Sequence, residues 1–153
     1  MEQKTDNREQ LIENYKKAAA PLFEFLPWLE KSAGKAGSSS YQGQGIGKNS
    51  ISFPVYDSNL LRFVKQAAES SLMDKNYNYI YTRNRIRTHG DERRVIAAAE
   101  LKDWDILCGI LSRYVLGGRI KAVLWSEAVE ENIFFLTVKQ MKKIIDYWDK
   151  NKA

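Results

Sequence analysis

Apolar residues recur at helical spacing in three long stretches, and no other feature limits the possible folds of this chain as strongly. In 58–72, Leu60, Leu61, Val64, Ala67, Ala68 and Leu72 share a side, with Arg62, Lys65, Gln66 and Glu69 opposite. In 102–116, Trp104, Leu107, Cys108, Leu111, Tyr114 and Val115 form a second stripe. In 133–149, Phe134, Val138, Met141, Ile145 and Trp148 are spaced by four, three, four and three, with Lys139, Lys142, Lys143 and Asp146 facing away. Spacing of this kind suits helices that lay one face on a common core, and it is incompatible with a strand-dominated chain.

The remaining segments fill in around these helices. Residues 8–19 read as a helix with Leu11, Ile12 and Tyr15 on one side, and Pro21 either kinks it or opens a second helix. Leu22, Phe23, Phe25, Leu26, Trp28 and Leu29 make a dense apolar cluster around Pro27. Five glycines in 34–47 break the helical pattern, and Ile51, Phe53 and Val55 then alternate with polar neighbours, so a hairpin is expected over about 37–56. Asp57 or Ser58 is suited to cap the helix that follows. Helices are also expected over 91–100 and 121–131, with Gly117 and Gly118 stopping the 102–116 helix and Asn132 ending the next. The expected fold class is α+β and predominantly helical, with five to six helices and one small β-hairpin. Residues 1–153 would form a single globular domain that contains the 33–50 Gly/Ser-rich loop or hairpin.

Several chemistries are poorly served. Cys108 is the single cysteine and His89 the single histidine, so neither a disulfide framework nor a zinc ligand set can be assembled within the chain. Cys108 also falls on an apolar stripe, where a buried thiol is inert. The segment Gly43-Gln-Gly-Ile-Gly-Lys-Asn-Ser50 lacks phosphate-loop spacing: the first glycine would fall at Gln42 and the magnesium-binding hydroxyl at Asn49. A dinucleotide fingerprint fails because Lys48 stands where its third glycine belongs. Glu127 and Glu130 lie one turn apart and could serve acid–base chemistry, but solvated helix faces carry such pairs routinely. His89, Asp91 and Glu92 crowd a helix start, where capping and the helix dipole account for the acids. No catalytic residue, metal ligand or cofactor is assigned. No apolar run is long enough to span a membrane, and the N-terminus MEQKTDNREQ is too polar for a signal peptide, so a soluble cytoplasmic protein is expected.

The charge is informative where it concentrates. The net charge is +5 with a pI near 9.2. Residues 74–94 hold six basic and three acidic groups, or +3, and the Gly/Ser-rich stretch adds Lys35 and Lys48 with no acid. Tyr77, Tyr79 and Tyr81 alternate into Arg83, Arg85 and Arg87. If 77–88 were extended, all six would share a face and offer stacking followed by phosphate contacts. If the segment is helical, the favoured reading, Tyr77, Ile80 and Tyr81 turn inward and the arginines scatter. Arg83, Arg87, Arg93 and Arg94 could still converge around His89-Gly90.

The C-terminal half resembles an uncharacterised family of small proteins from Gram-positive bacteria, classed as a domain of unknown function. The likeness is carried by Ile110-Leu-Ser-Arg-Tyr-Val-Leu-Gly-Gly-Arg119, Leu124-Trp-Ser-Glu-Ala-Val-Glu-Glu-Asn-Ile-Phe134 and Met141-Lys-Lys-Ile-Ile145. The stretch from Phe53 through the 58–72 helix is similar as well. The resemblance implies a mostly helical fold with a hairpin, carried on conjugative elements and phages, and it supplies no catalytic residue. Arg119, Trp125 and Glu127 are its motif positions here, expected to be structural, with Arg119 paired to Glu127 across Trp125.

Three functions follow as expectations. The first is a non-enzymatic, mobile-element-associated binding protein whose basic patch meets nucleic acid or an acidic protein surface. Its contact residues would be Lys35, Lys48, Arg83, Arg85, Arg87, Arg93, Arg94, Tyr77, Tyr79 and Tyr81. The second is a protein-directed accessory factor or host-defence inhibitor that docks through the exposed part of the 21–29 cluster. The third is an enzyme built on Glu127 and Glu130. The 133–149 stripe can be consumed by the core and gives no evidence for a dimer.

Overall fold

The computed structural model describes residues 2–32, 38–42, 52–56, 58–121 and 123–150; for 2–7 and for the two strands it describes the backbone alone. In chain order the elements are α1 (Glu2–Phe23), α2 (Leu26–Ser32), β1 (Ser38–Gln42), β2 (Ser52–Tyr56), α3 (Ser58–Ala68), α4 (Tyr77–Arg83), α5 (His89–Ala98), a 3-10 turn (Leu101–Asp103), α6 (Trp104–Gly117), α7 (Val123–Glu130) and α8 (Ile133–Lys150). The strands run antiparallel, with Ser38 opposite Tyr56 and Gln42 opposite Ser52. Among the described residues no helix is long and apolar enough to cross a membrane.

The expected α+β class with five to six helices is corrected. Eight α-helices lie among the described residues, and every described core residue sits on a helix or a helix connection, so the described core is helical throughout. α4 is the favoured helix of the 77–88 segment, confined to Tyr77–Arg83, while α2 adds a helix of seven residues, about two turns. That is too short for a periodicity to show. Pro21 lies inside α1 and does not open a new helix, whereas Pro27 occupies the first turn of α2, where its missing N–H has no intrahelical partner to lose.

The centre is α6. Its Leu107, Ile110, Leu111, Tyr114 and Val115 are all fully buried, because α3, α4, α5, α7 and α8 pack around it. The expected stripe of α8 is the one that enters the core: Phe134, Val138, Met141 and Ile145 are buried and Trp148 packs at the margin. An aromatic column runs through the middle. Phe25 lies 5.6 Å from Phe63, Phe63 4.8 Å from Phe134, and Phe134 6.1 Å from Tyr114. Burial of each such ring contributes about 1.5–3 kcal/mol, and the edge-to-face pairs add to that. Tyr114 ends the column, and its hydroxyl leaves the apolar core for the polar group described next.

Candidate functional site

The basic segment folds as a helix, a corner and a second helix. α4 ends in a double turn in which Ile86 N–H donates to the Tyr81 carbonyl (2.9 Å) and Arg85 N–H to the Thr82 carbonyl (3.2 Å). This is the Schellman arrangement, and its left-handed position is held by Arg85 at φ 54°. Ile86 then tucks into the core at 5% exposure. α5 starts at once, with a capping box in which the Thr88 hydroxyl accepts from Asp91 N–H (3.0 Å) and the Asp91 carboxylate accepts from Thr88 N–H (3.3 Å) and Arg87 N–H (3.0 Å). Those bonds hold the Asp91 carboxyl below its ordinary value. The corner backbone is therefore fixed from both sides while Arg83, Arg85 and Arg87 project into solvent. Among the described residues these three guanidiniums form no ion pair and no ring contact.

Beneath the corner lies a buried carboxylate. Glu92 is 1% exposed and accepts from the hydroxyls of Tyr81 and Tyr114 (2.8 Å), from Nδ1 of His89 (2.7 Å) and from the Arg113 guanidinium (3.3 Å). Arg113 also lies over both tyrosine rings, 4.8 Å from that of Tyr81 and 5.3 Å from that of Tyr114. The other nitrogen of His89, Nε2, lies 2.8 Å from Glu127 of α7. Carboxylates only accept, so an imidazole held between two of them carries a proton on each nitrogen. Two carboxylates, one imidazolium and one guanidinium then sum to zero, which is what lets Glu92 sit in the interior. Burial and the neighbouring Glu92 charge push both tyrosine hydroxyls far above their ordinary value, so they stay protonated donors. The cluster ties α4, α5 and α6 together through Glu92, and His89 extends it to α7 through Glu127. Its carboxylates flank the histidine on opposite sides, and among the described residues no group of three His, Cys, Asp or Glu is arranged to hold a metal ion.

This arrangement has a pH signature. Burial opposes the charge on His89, but the hydrogen bonds and attraction of Glu92 and then Glu127 outweigh it, and the imidazole is raised above 6.5. The folded state thus holds this proton more tightly than the unfolded chain does. Its contribution to stability is complete below the unfolded value and fades as pH rises through the higher folded one. Urea unfolding of the wild type and of His89→Gln between about pH 5.5 and pH 9 should show the stability gap shrinking with rising pH. A gap that stays constant or widens contradicts an imidazolium between two carboxylates.

The structure regroups the residues expected from sequence. Arg83, Arg85 and Arg87 do lie together on the corner. Arg93 is drawn away to the turn after α7, its guanidinium donating to the Glu131 carbonyl (2.8 Å), and Arg94 pairs with Asp91 one turn back (3.4 Å). Tyr79 is 65% exposed, Tyr77 is half-buried and Tyr81 is buried against Glu92, so the six-residue strip does not exist. Lys35 and Lys48 lie outside the described residues. Glu92 is not the surface dipole partner that its place at a helix start suggested; Asp91 alone caps. Glu127 pairs with His89 instead of Arg119, which is exposed, and Trp125 packs on Gly118. Glu127 and Glu130 diverge, since Glu130 faces solvent while Glu127 turns to His89, and the enzyme expected on that pair loses its geometry. The 21–29 cluster is largely core: Leu22, Phe25 and Leu29 are buried, and Phe23, Leu26 and Trp28 pack against them. Cys108 is buried as well, its thiol pushed up to about 12 by that burial, with Asp105 and Asp74 adding to it.

Arg113 and Tyr114 escaped sequence reasoning because their partner Glu92 is about 20 residues away. The one available signal was that Arg113 breaks the apolar run of α6. Comparison of the chain with family models, with curated proteins and with solved structures finds no match, so its function has to be argued from the chemistry of this corner.

Proposed function

We propose that this is a non-enzymatic protein that contacts the phosphate backbone of nucleic acid through Arg83, Arg85 and Arg87, with Tyr79 as a neighbouring stacking surface. The observation that carries the reading is Arg85. A non-glycine residue in the left-handed region costs about 1 kcal/mol or more, and glycine is the residue that relieves it. An exposed arginine whose guanidinium has no partner among the described residues gains nothing there for the fold, whereas a guanidinium presented on a rigid corner suits phosphate recognition. Arg83 and Arg87 lie two residues to either side, within about 7 Å of extended chain, and the capped helix ends hold the set in place. The Glu92 cluster supports the reading by clamping the helices on both sides of the corner.

The test is a salt titration of labelled oligonucleotides. Three phosphate contacts predict a slope of log affinity against log salt of about −2 for single strands and about −3 for duplex. The triple variant Arg83→Ala/Arg85→Gly/Arg87→Ala should flatten that slope towards zero. Arg85→Gly alone should bind more weakly by roughly one phosphate contact while unfolding at equal or higher temperature, because glycine relieves the left-handed strain. Absence of binding at low salt, or a triple variant that binds like the wild type, removes the proposal. A purely structural Arg85 would give the reverse pattern, with unchanged binding and a lowered unfolding temperature.

A further inference from the structure

On a different part of the molecule, a cleft of about 860 Å³ opens between α1, α8 and the 99–102 connection. On the α1 side Arg8, Leu11 and Tyr15 stand in line at spacings of three and four, and on the α8 side Gln140, Ile144 and Tyr147 do the same. The walls are aromatic. Tyr15 stacks flat on Trp104, with ring centroids 4.3 Å apart and planes 5° apart, and Tyr147 meets Trp148 edge to face at 5.4 Å. Leu11 is 40% exposed and Tyr147 61%, so large apolar surface faces the opening. The rim is cationic: Arg8, Lys102 and Lys143 stand against Glu100, three positive charges to one negative. Lys102 and Lys143 are exposed and form no ion pair among the described residues, while Arg8 lies over the Trp148 ring at 5.1 Å. Gln140 is committed elsewhere, its amide donating to the Ala99 carbonyl (2.8 Å).

We infer that this cleft binds a small amphiphilic anion, a flat apolar body bearing one carboxylate, sulfonate or phosphate group. The volume falls in the range of about 300–1,000 Å³ typical of small-molecule sites. The body would lie on Tyr15, Tyr147 and Trp148 and lose water from its faces. The acid group would reach the Lys102 and Lys143 ammonium groups at the rim, where the excess positive charge attracts an anion and offers nothing to a neutral analogue. The cleft shares no residue with the arginine corner, so neither proposal depends on the other.

A matched pair of probes tests this directly. 8-Anilinonaphthalene-1-sulfonate and N-phenyl-1-naphthylamine carry the same rings and differ by the sulfonate. Titrated into the full chain, the sulfonate should saturate at one equivalent and bind about tenfold more tightly than the neutral compound. Lys102→Ala/Lys143→Ala should remove that preference by weakening the sulfonate alone, and Tyr147→Ala should weaken both probes. All three substituted side chains are exposed, and an unchanged near-ultraviolet circular dichroism spectrum shows the fold intact. The inference is overturned if the sulfonate does not saturate, if the neutral compound binds as tightly, or if both variants bind like the wild type.

Discussion

Replacing Glu92 by alanine is expected to lower the stability of the fold by about 3–5 kcal/mol, the range measured when one member of a buried charge group is removed. The carboxylate receives four donors at once, from Tyr81, Tyr114, His89 and Arg113. Alanine leaves the buried Tyr81 hydroxyl without an acceptor and the Tyr114 hydroxyl with only Nδ1 of His89 at 3.2 Å, and each buried polar group stranded in this way costs about 1–3 kcal/mol. It also leaves the Arg113 guanidinium, held between two tyrosine rings, without its counter-charge. A domain of this size has about 5–15 kcal/mol in total, and the unfolding temperature should fall by about 6–20 °C. Glu92→Gln keeps the shape but removes the charge and points an amide N–H₂ at donors, so it should recover little. Glu92→Leu combined with Tyr81→Phe and Tyr114→Phe should recover more, since the stranded hydroxyls go with the acid. Urea and thermal unfolding measure all of these. A Glu92→Ala protein within about 1 kcal/mol of the wild type would mean that the cluster is not the clamp described.

That clamp marks the limit of what the sequence discloses. The α8 stripe is written locally: Phe134, Val138, Met141 and Ile145 repeat with the period of the helix they form, and all four enter the core. Tyr81, Glu92 and Tyr114 are separated by 11 and 22 residues, and nothing in a local window couples residues so far apart. The alternation of tyrosine and arginine over 77–87 fits a period of two, yet 77–83 is helical. Burial of Ile80 and Tyr81 against α6 decides the matter, and a strand could not bury both neighbours on one side. The charge excess of 74–94 was legible as composition. Which of its arginines stay unpaired was not, because that depends on Glu131 reaching Arg93 from the turn between α7 and α8.

Gly118→Ala should destabilise the protein by about 2–4 kcal/mol, against what local propensity would suggest. A glycine pair after an amphipathic helix reads as a stop signal, commonly through a left-handed glycine, and α6 does end at Gly117. Gly118 is instead right-handed at φ −66° and ψ −19°, a conformation every residue adopts. On propensity alone alanine would be better here by up to about 1 kcal/mol. Packing reverses the sign. A Cβ at Gly118 would stand 2.0 Å from Nε1 and 2.2 Å from Cδ1 of Trp125, where no two atoms can coexist. The indole is a rigid plane whose Nε1–H donates to the Val115 carbonyl at 3.2 Å, so it can escape only by giving up that bond and lifting off α6. Gly117 is closely packed too, though less severely, the position of its missing Cβ lying 3.0 Å from Cδ1 of Leu124. The glycines therefore let α7 lie against the end of α6, which is also what brings Glu127 to His89. A double-mutant cycle isolates the contact: in a Trp125→Leu background the Gly118→Ala penalty should shrink by more than about 1 kcal/mol. A Gly118→Ala protein that melts higher than the wild type would return these glycines to the role of a simple helix stop.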